Sequence, residues 1–157
     1  MKRLAIFADV QNIYYTCRQA YGRQFNYKAL IQRVRSGGEI AEATAYAIAR
    51  NDDGQRKFQD ALRHMGFEVK LKPFIQRSDG SAKGDWDVGI TIDVLDAAPH
   101  VDVVVLLSGD GDFDLLLKKI RKDYKTKTEV YGVPSLTANS LIDSASLYHR
   151  IEDDLLQ

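Results

Sequence analysis

Continuous apolar runs alternate with helix-period segments along this chain. The run "LAIFA" at 4–8 is unbroken, as expected for a strand buried on both faces. "NIYYTCRQAY" and "NYKALIQRVR" read as helices. "IAEATAYAIA" at 40–49 fits either element; its position between a helical segment closed by Gly37-Gly38 and the next helix predicts a strand. In "GQRKFQDALRHMG", Phe58, Ala61, Leu62 and Met65 recur at i, i+3, i+4 and i+7, and Gly66 supplies a stop. "FEVKLKPFI" alternates like a strand, with Pro73 marking an edge or an end, and "RSDGSAKGD" reads as a polar loop. "WDVGITIDVLDAA" predicts a helix with Val88, Ile92 and Leu95 on its buried side. The rest reads as a strand "VDVVVLL", a helix "FDLLLKKIRK", a strand "TEVYGV" and a final helix "SLTANSLIDSASL".

Strands alternating with helices imply an α/β fold: a three-layer α/β/α sandwich with a mainly parallel central sheet. No repeat, low-complexity tract or linker divides the chain, so residues 1–157 are expected to form one domain. In such sheets, ligands bind beyond the carboxyl ends of the strands, where the strand order reverses.

That rule draws attention to "SGDGDFDLLLKKI" at 108–120, where Asp110, Asp112 and Asp114 directly follow an apolar strand. Phe113, Leu116, Leu117 and Ile120 mark the packed face of the helix that begins there. Asp110 is therefore an N-cap as well as a candidate functional group. Asp114, four residues before Lys118, is assigned to a surface ion pair. The arrangement recurs: "LAIFADVQN" runs from a strand into Asp9 with Asn12 nearby, and "KGDWDVGITID" puts Asp85 and Asp87 at the start of another helix. Asp93 lies about 9 Å further along that helix, too far to share a ligand with Asp87 directly. If the strands of Asp9 and Asp110 are neighbours, their carboxylates meet at the carboxyl edge, and Asp87 can join them. Crowded carboxylates have raised pKa values unless a cation neutralises them. Mg²⁺ or Mn²⁺ would suit such oxygen ligands and would assist in-line displacement at a phosphate.

The three blocks "IFADVQN", "KGDWDVGITID" and "LLSGDGDFDLLL" resemble, in order, those of the NYN domain, and more narrowly the bacterial LabA-like group of the PIN-like nucleases. The likeness spans nearly the whole chain. It implies a PIN-like, Rossmann-like fold and Mg²⁺- or Mn²⁺-dependent cleavage of RNA, with the acidic residues holding the metal. Residue by residue, it assigns Asp9, Asp87, Asp110 and Asp112 to catalysis, the first three as metal ligands and Asp112 as a further ligand or as the group orienting water. It gives Asn12, Ser108 and Lys83 to water, phosphate or the RNA backbone, with Asp93 as the usual follower of Asp87. Two departures stand out: Asp85 is an extra residue before the Trp86-Asp87 pair, and Ser146 occupies a position where relatives often carry an aspartate.

Composition adds limits. Lys plus Arg equals Asp plus Glu at 22 each, so net charge points to neither nucleic acid nor membrane. No apolar run approaches the roughly 20 residues of a membrane span. The lone Cys17 excludes an internal disulfide and reads as a small buried hydrophobe; it suits a reducing compartment, so a cytoplasmic protein is expected. The basic run "KKIRKDYKTK" begins two turns from the proposed site and reads as a solvated face. Lys70, Lys72, Arg77 and Lys83 would border the site and track a phosphate backbone, and they are equally edge-strand lysines. Trp86 reads as core, and at most one of Tyr14 and Tyr15 is expected to reach the cleft. His64, His100 and His149 form no zinc pattern. The reading is a metal-dependent ribonuclease acting on single-stranded RNA, with a homodimer left open. Its rivals are a non-catalytic RNA-binding or regulatory module that retains the acidic pocket, another phosphoryl-transfer enzyme, and an interaction partner whose aspartates only cap helices.

Overall fold

The unbroken apolar runs form the middle of a six-stranded, all-parallel sheet in the order β3-β2-β1-β6-β7-β8. Its strands are β1 (Arg3–Asp9), β2 (Glu39–Ala49), β3 (Glu68–Pro73), β6 (Val103–Leu107), β7 (Lys127–Gly132) and β8 (Leu147–Arg150). The computed structural model describes residues 1–49, 52–73, 75–76, 82–83 and 85–157, with the backbone alone at 75, 76, 82 and 83. Every residue of β6 is buried, as is β1 from Leu4 onward, because helices cover both faces.

One face carries α1 (Val10–Tyr21), α2 (Tyr27–Arg35) and α3 (Asp53–His64), which insert Ile13, Cys17, Leu30, Ile31 and Leu62 against Ile6, Ala8 and Ala45. The other carries α4 (Asp87–Ala97), α5 (Asp114–Asp123) and α6 (Asn139–Ser144), which pack Ile90, Val94, Leu117, Ile120 and Leu141 against Phe7, Val104 and Leu106. The expected face of α5 is the observed one: Phe113, Leu116, Leu117 and Ile120 are all buried. Pro73 ends β3, and β3 is an edge strand, as its proline suggests. Among the described residues no helix is long and apolar enough to cross a membrane.

Four expectations change. The buried side of α4 is Ile90, Val94 and Ala97, while Val88 and Ile92 are 70% and 54% exposed. The helix is apolar nearly all round, so its periodicity does not single out a face. Trp86 does: its ring lies so close to Gly89 that a Cβ there would come within 2.7 Å of it. The final helix is also broken. α6 ends at Ser144, and the chain turns extended at Ala145. Ser146 then exchanges hydrogen bonds with Thr128, donating its N–H to the hydroxyl at 3.1 Å and accepting from the amide at 3.0 Å. Such side-chain bonding competes with helical pairing and delivers 147–150 as the edge strand β8. Ala82–Lys83, expected within a loop, forms β5 and pairs antiparallel with β4 (Ile75–Gln76). Asp114 accepts from the Leu115 N–H at 2.6 Å, and the surface ion pair of α5 is Lys119–Asp123 instead of Asp114–Lys118.

From β1 the chain winds outward through β2 to β3, then returns to place β6 on the opposite side of β1. The strand order therefore reverses between β1 and β6, and the loops leaving these two strands diverge from a crevice at the carboxyl edge.

Candidate acidic site

Asp9 is the last residue of β1, and Ser108 directly follows β6. The strands pair with Ala8 opposite Leu107, so Asp9 and Ser108 leave the sheet side by side. The Ser108 hydroxyl donates to Asp9 Oδ2 at 3.1 Å and accepts from the Asp110 N–H at 3.2 Å. Asp9 Oδ1 also accepts from the Asn12 N–H, at 3.5 Å, and so caps α1. The Asn12 side chain reaches across the crevice, where its Oδ1 accepts from the Gly109 N–H at 2.9 Å. Asn12 and Ser108 thus tie the two loops together. Ser108 is fully buried, so it acts through Asp9 and Asp110 and meets no solute itself.

Asp110 caps the 3-10 turn Gly111–Phe113 by accepting from the Asp112 N–H at 2.9 Å. The turn is seated on the segment after β7: a Cβ at Gly109 would come within 2.7 Å of the Leu136 carbonyl oxygen. Glycine is needed at this close approach. From the opposite side, α4 brings Asp87, with the Asp87 N–H held by Asp85 Oδ1 at 3.3 Å. One carboxylate oxygen from each of Asp87, Asp110 and Asp112 lies within 4.8 Å of the other two. Asp9 lies outside this tight group, deeper at the base of the crevice, and is 8% exposed.

Two of the carboxyl groups are held far from their ordinary range. Burial pushes Asp9 up to about 6; the Ser108 and Asn12 hydrogen bonds oppose the rise, and the charges of Asp110 and Asp85 add to it. Asp87 is pushed up to about 7, first by desolvation, then by the charges of Asp110 and Asp85, a shared hydrogen bond with Asp110, and the charge of Asp9. Among the described residues no lysine, arginine or histidine pairs with Asp9, Asp87, Asp110 or Asp112. The donor set is carboxylate oxygen alone, which fits a hard divalent cation such as Mg²⁺ or Mn²⁺.

The remaining sequence candidates stand outside the acidic group. Asp93 faces away and binds the Lys70 ammonium at 2.7 Å and the Tyr46 hydroxyl at 2.8 Å. Lys72 donates to the Asp85 carbonyl at 3.0 Å and lies 4.5 Å from the centre of the Trp86 ring. Trp86 packs on Tyr46 and donates to the Ala47 carbonyl at 2.9 Å, so it is a core residue that anchors the start of α4. Arg77 and the Lys83 side chain lie outside the described residues. Ser146 pairs with Thr128 near the amino end of β7, away from the crevice. Tyr14 and Tyr15 both border a cavity on the α1–α3 side of the sheet. Asp85, an extra acid in the sequence, adds to the local charge on Asp9 and Asp87, a contribution that its spacing alone does not reveal. The sequence carries no signal for the cavity, whose lining on α3 reads as ordinary core periodicity.

A model of the NYN domain matches residues 3–152. The chain is 30% identical to the low amplitude and bright protein LabA of Synechococcus elongatus over 159 residues, spanning 96% of this chain and 84% of that protein. A crystal structure of a protein of unknown function from Vibrio parahaemolyticus superposes with a TM-score of 0.94 at 54% identity, covering 99% of this chain and 96% of that one. A carbohydrate kinase from Agrobacterium tumefaciens, 14% identical with a TM-score of 0.53 over 94% of this chain and 60% of its own, shares the fold alone.

Proposed function

From the membership of this chain in the NYN family, we propose that it is a metal-dependent ribonuclease that hydrolyses phosphodiester bonds of single-stranded RNA at the carboxyl edge of the sheet. The observation that carries this reading is the convergence of Asp87, Asp110 and Asp112 within 4.8 Å, with no basic partner among the described residues. Surplus negative charge at a strand-order reversal costs stability unless something binds there, and a divalent cation with a phosphate is the ligand pair that such a group suits.

Asp87, Asp110 and Asp112 would hold the ion, with Asp9 at the base of the crevice. A bound Mg²⁺ or Mn²⁺ would neutralise the phosphate and lower the pKa of a water. Asp112, the exposed member of the group, orients the attacking water and receives its proton. The water oxygen bonds to phosphorus while the bond to the leaving ribose oxygen breaks; that oxygen takes up a proton from solvent, giving one phosphate end and one hydroxyl end. Asp9 keeps the two loops in register through Ser108 and the first turn of α1, and its charge would add to the attraction for a bound cation. Asn12 and Ser108 are positioning residues.

Purified protein should cleave a labelled single-stranded RNA in Mn²⁺, lose the activity on chelation, and lose it at least 100-fold in Asp110→Asn. Equal turnover in Asp110→Asn would overturn the proposal. RNA binding that survives chelation without products would instead establish the non-catalytic module.

A further inference from the structure

A cavity of about 490 Å³ lies on the α1–α3 side of the sheet, and two of its walls are joined through the chain to the acidic crevice. Val10 and Gln11, which line it, directly follow Asp9. Ala47, also in its wall, accepts the hydrogen bond from Trp86, the residue before Asp87. Its size is that of sites enclosing small ligands.

The lining chemistry narrows the occupant. Tyr14 and Phe58 supply aromatic walls, and the polar side chains include the neutral amides of Gln11, Gln24, Gln55 and Gln157. No charged side chain lines it among the described residues. Neutral amides beside aromatic rings suit a flat, uncharged heterocycle whose edge carries donors and acceptors, and glutamine pairs well with base edges. Tyr14 and Tyr15 are 45% and 49% exposed, leaving ring surface free to stack, and the exposed Arg18 donates to the Tyr14 hydroxyl at 3.2 Å.

We propose that this cavity takes one unstacked base of the RNA strand, next to the phosphate held at the acidic group. The inference rests on the nuclease reading above and deepens it. The acidic crevice holds the backbone on one side of β1, and the cavity holds a neighbouring base on the other. A base can enter only if it is unpaired, so the cavity selects single strands.

The test uses single-stranded RNA dodecamers in Mn²⁺, each with one abasic position moved along the strand, together with the full chain and two variants. Ala61→Trp fills the cavity from an exposed position on α3, and Tyr14→Ala removes the ring at its rim. Wild type should lose at least 10-fold in kcat/KM when one particular position beside the cut is abasic, and little at the others. Ala61→Trp should cut the intact strand as slowly as wild type cuts that abasic strand, with no further loss on it, while its circular dichroism and melting stay close to wild type. Tyr14→Ala should show a smaller loss of the same pattern. Abasic strands cut at the intact rate at every position would overturn the inference and leave the nuclease reading standing. An undiminished abasic penalty in both variants would also overturn it, by assigning the base to another surface. Failure of wild type to cut any strand would remove the nuclease reading and the inference together.

Discussion

Asp87 and Asp93 stand on the same helix, six positions apart, and their surroundings make them different chemical objects. Asp93 meets the Lys70 ammonium and the phenol of the fully buried Tyr46, so its charge is answered within the chain. Burial, followed by the hydrogen bond to Asp93, pushes the Tyr46 phenol far above its ordinary range. Asp87 meets Asp110, Asp85 and Asp9, and its own carboxyl is pushed up to about 7. One carboxylate is answered by a cation and a phenol; the other faces only like charge. A carboxylate is thus marked as a candidate for function by what faces it across the fold, and its position in a motif says less.

The largest test of this contrast is activity. Asp87→Asn is expected to lower Mn²⁺-dependent cleavage of single-stranded RNA by at least 100-fold, because it removes one of the three carboxylates proposed to hold the metal. Asp93→Asn should stay within about 3-fold of wild type, since it keeps an acceptor for Tyr46 and lies outside the acidic group. Initial rates on one RNA, with both variants checked by circular dichroism, decide the matter. Equal losses would mean that the helix acts as a unit and that the distinction between its two carboxylates is false.

Next in size is the dependence of stability on pH. Asp9 and Asp87 titrate near 6 and 7 in the native protein, against 3.8 as the ordinary value. Between about pH 4 and 7 the native state therefore holds protons that the unfolded chain has released. Stability of the metal-free protein should fall as pH rises through this window and level off above it. For the buried Asp9 the fall is on the order of 1–3 kcal/mol; the more exposed Asp87 adds less because water screens it. Urea unfolding at steps from pH 4 to 8 measures this. Asp87→Asn should flatten the upper part of the curve, and saturating Mn²⁺ should raise stability most above pH 7. A curve that rises through the window would break the account of crowded, unanswered charge.

What was legible beforehand follows from the same physics. β1 and β6 were plain because a parallel strand covered on both faces must be apolar throughout, and "LAIFA" and "VVVLL" have no other reading of comparable strength. The acidic residues at strand and helix ends were legible because polar groups after buried strands stand out. Nothing in the spacing said that β1 and β6 are neighbours; that follows from the strand order, which depends on contacts between distant segments. β8 gives no clear signal in the sequence, because a four-residue edge strand is half exposed and lacks a continuous apolar run. The packed face of α4 is not legible in its periodicity, because a helix with apolar residues nearly all round leaves the choice to its neighbours, here Trp86 and the strands beneath. Ser108 and Asn12 were visible as polar residues near the site, but their task of tying two loops together appears only when both loops are in place.

The smallest expected effect is the one that separates the two carboxylates by sign. The Asp93 and Lys70 side chains are 27% and 36% exposed, so their ion pair is partly screened and contributes about 0.5–1 kcal/mol. Asp93→Asn should cost about that much and less at high salt. Asp93→Ala should cost roughly 1–2 kcal/mol more, because the buried Tyr46 hydroxyl then loses its acceptor. A double-mutant cycle with Lys70→Met isolates the ion pair, and Tyr46→Phe should cancel most of the additional cost of Asp93→Ala. At the first residue of the helix the same Asp→Asn change should act in the opposite direction. Above pH 7 without metal, Asp87→Asn removes a charge that repels three neighbours, and the protein should become more stable. Two identical substitutions on one helix would then shift stability in opposite directions, and only a difference in what each carboxylate faces accounts for that.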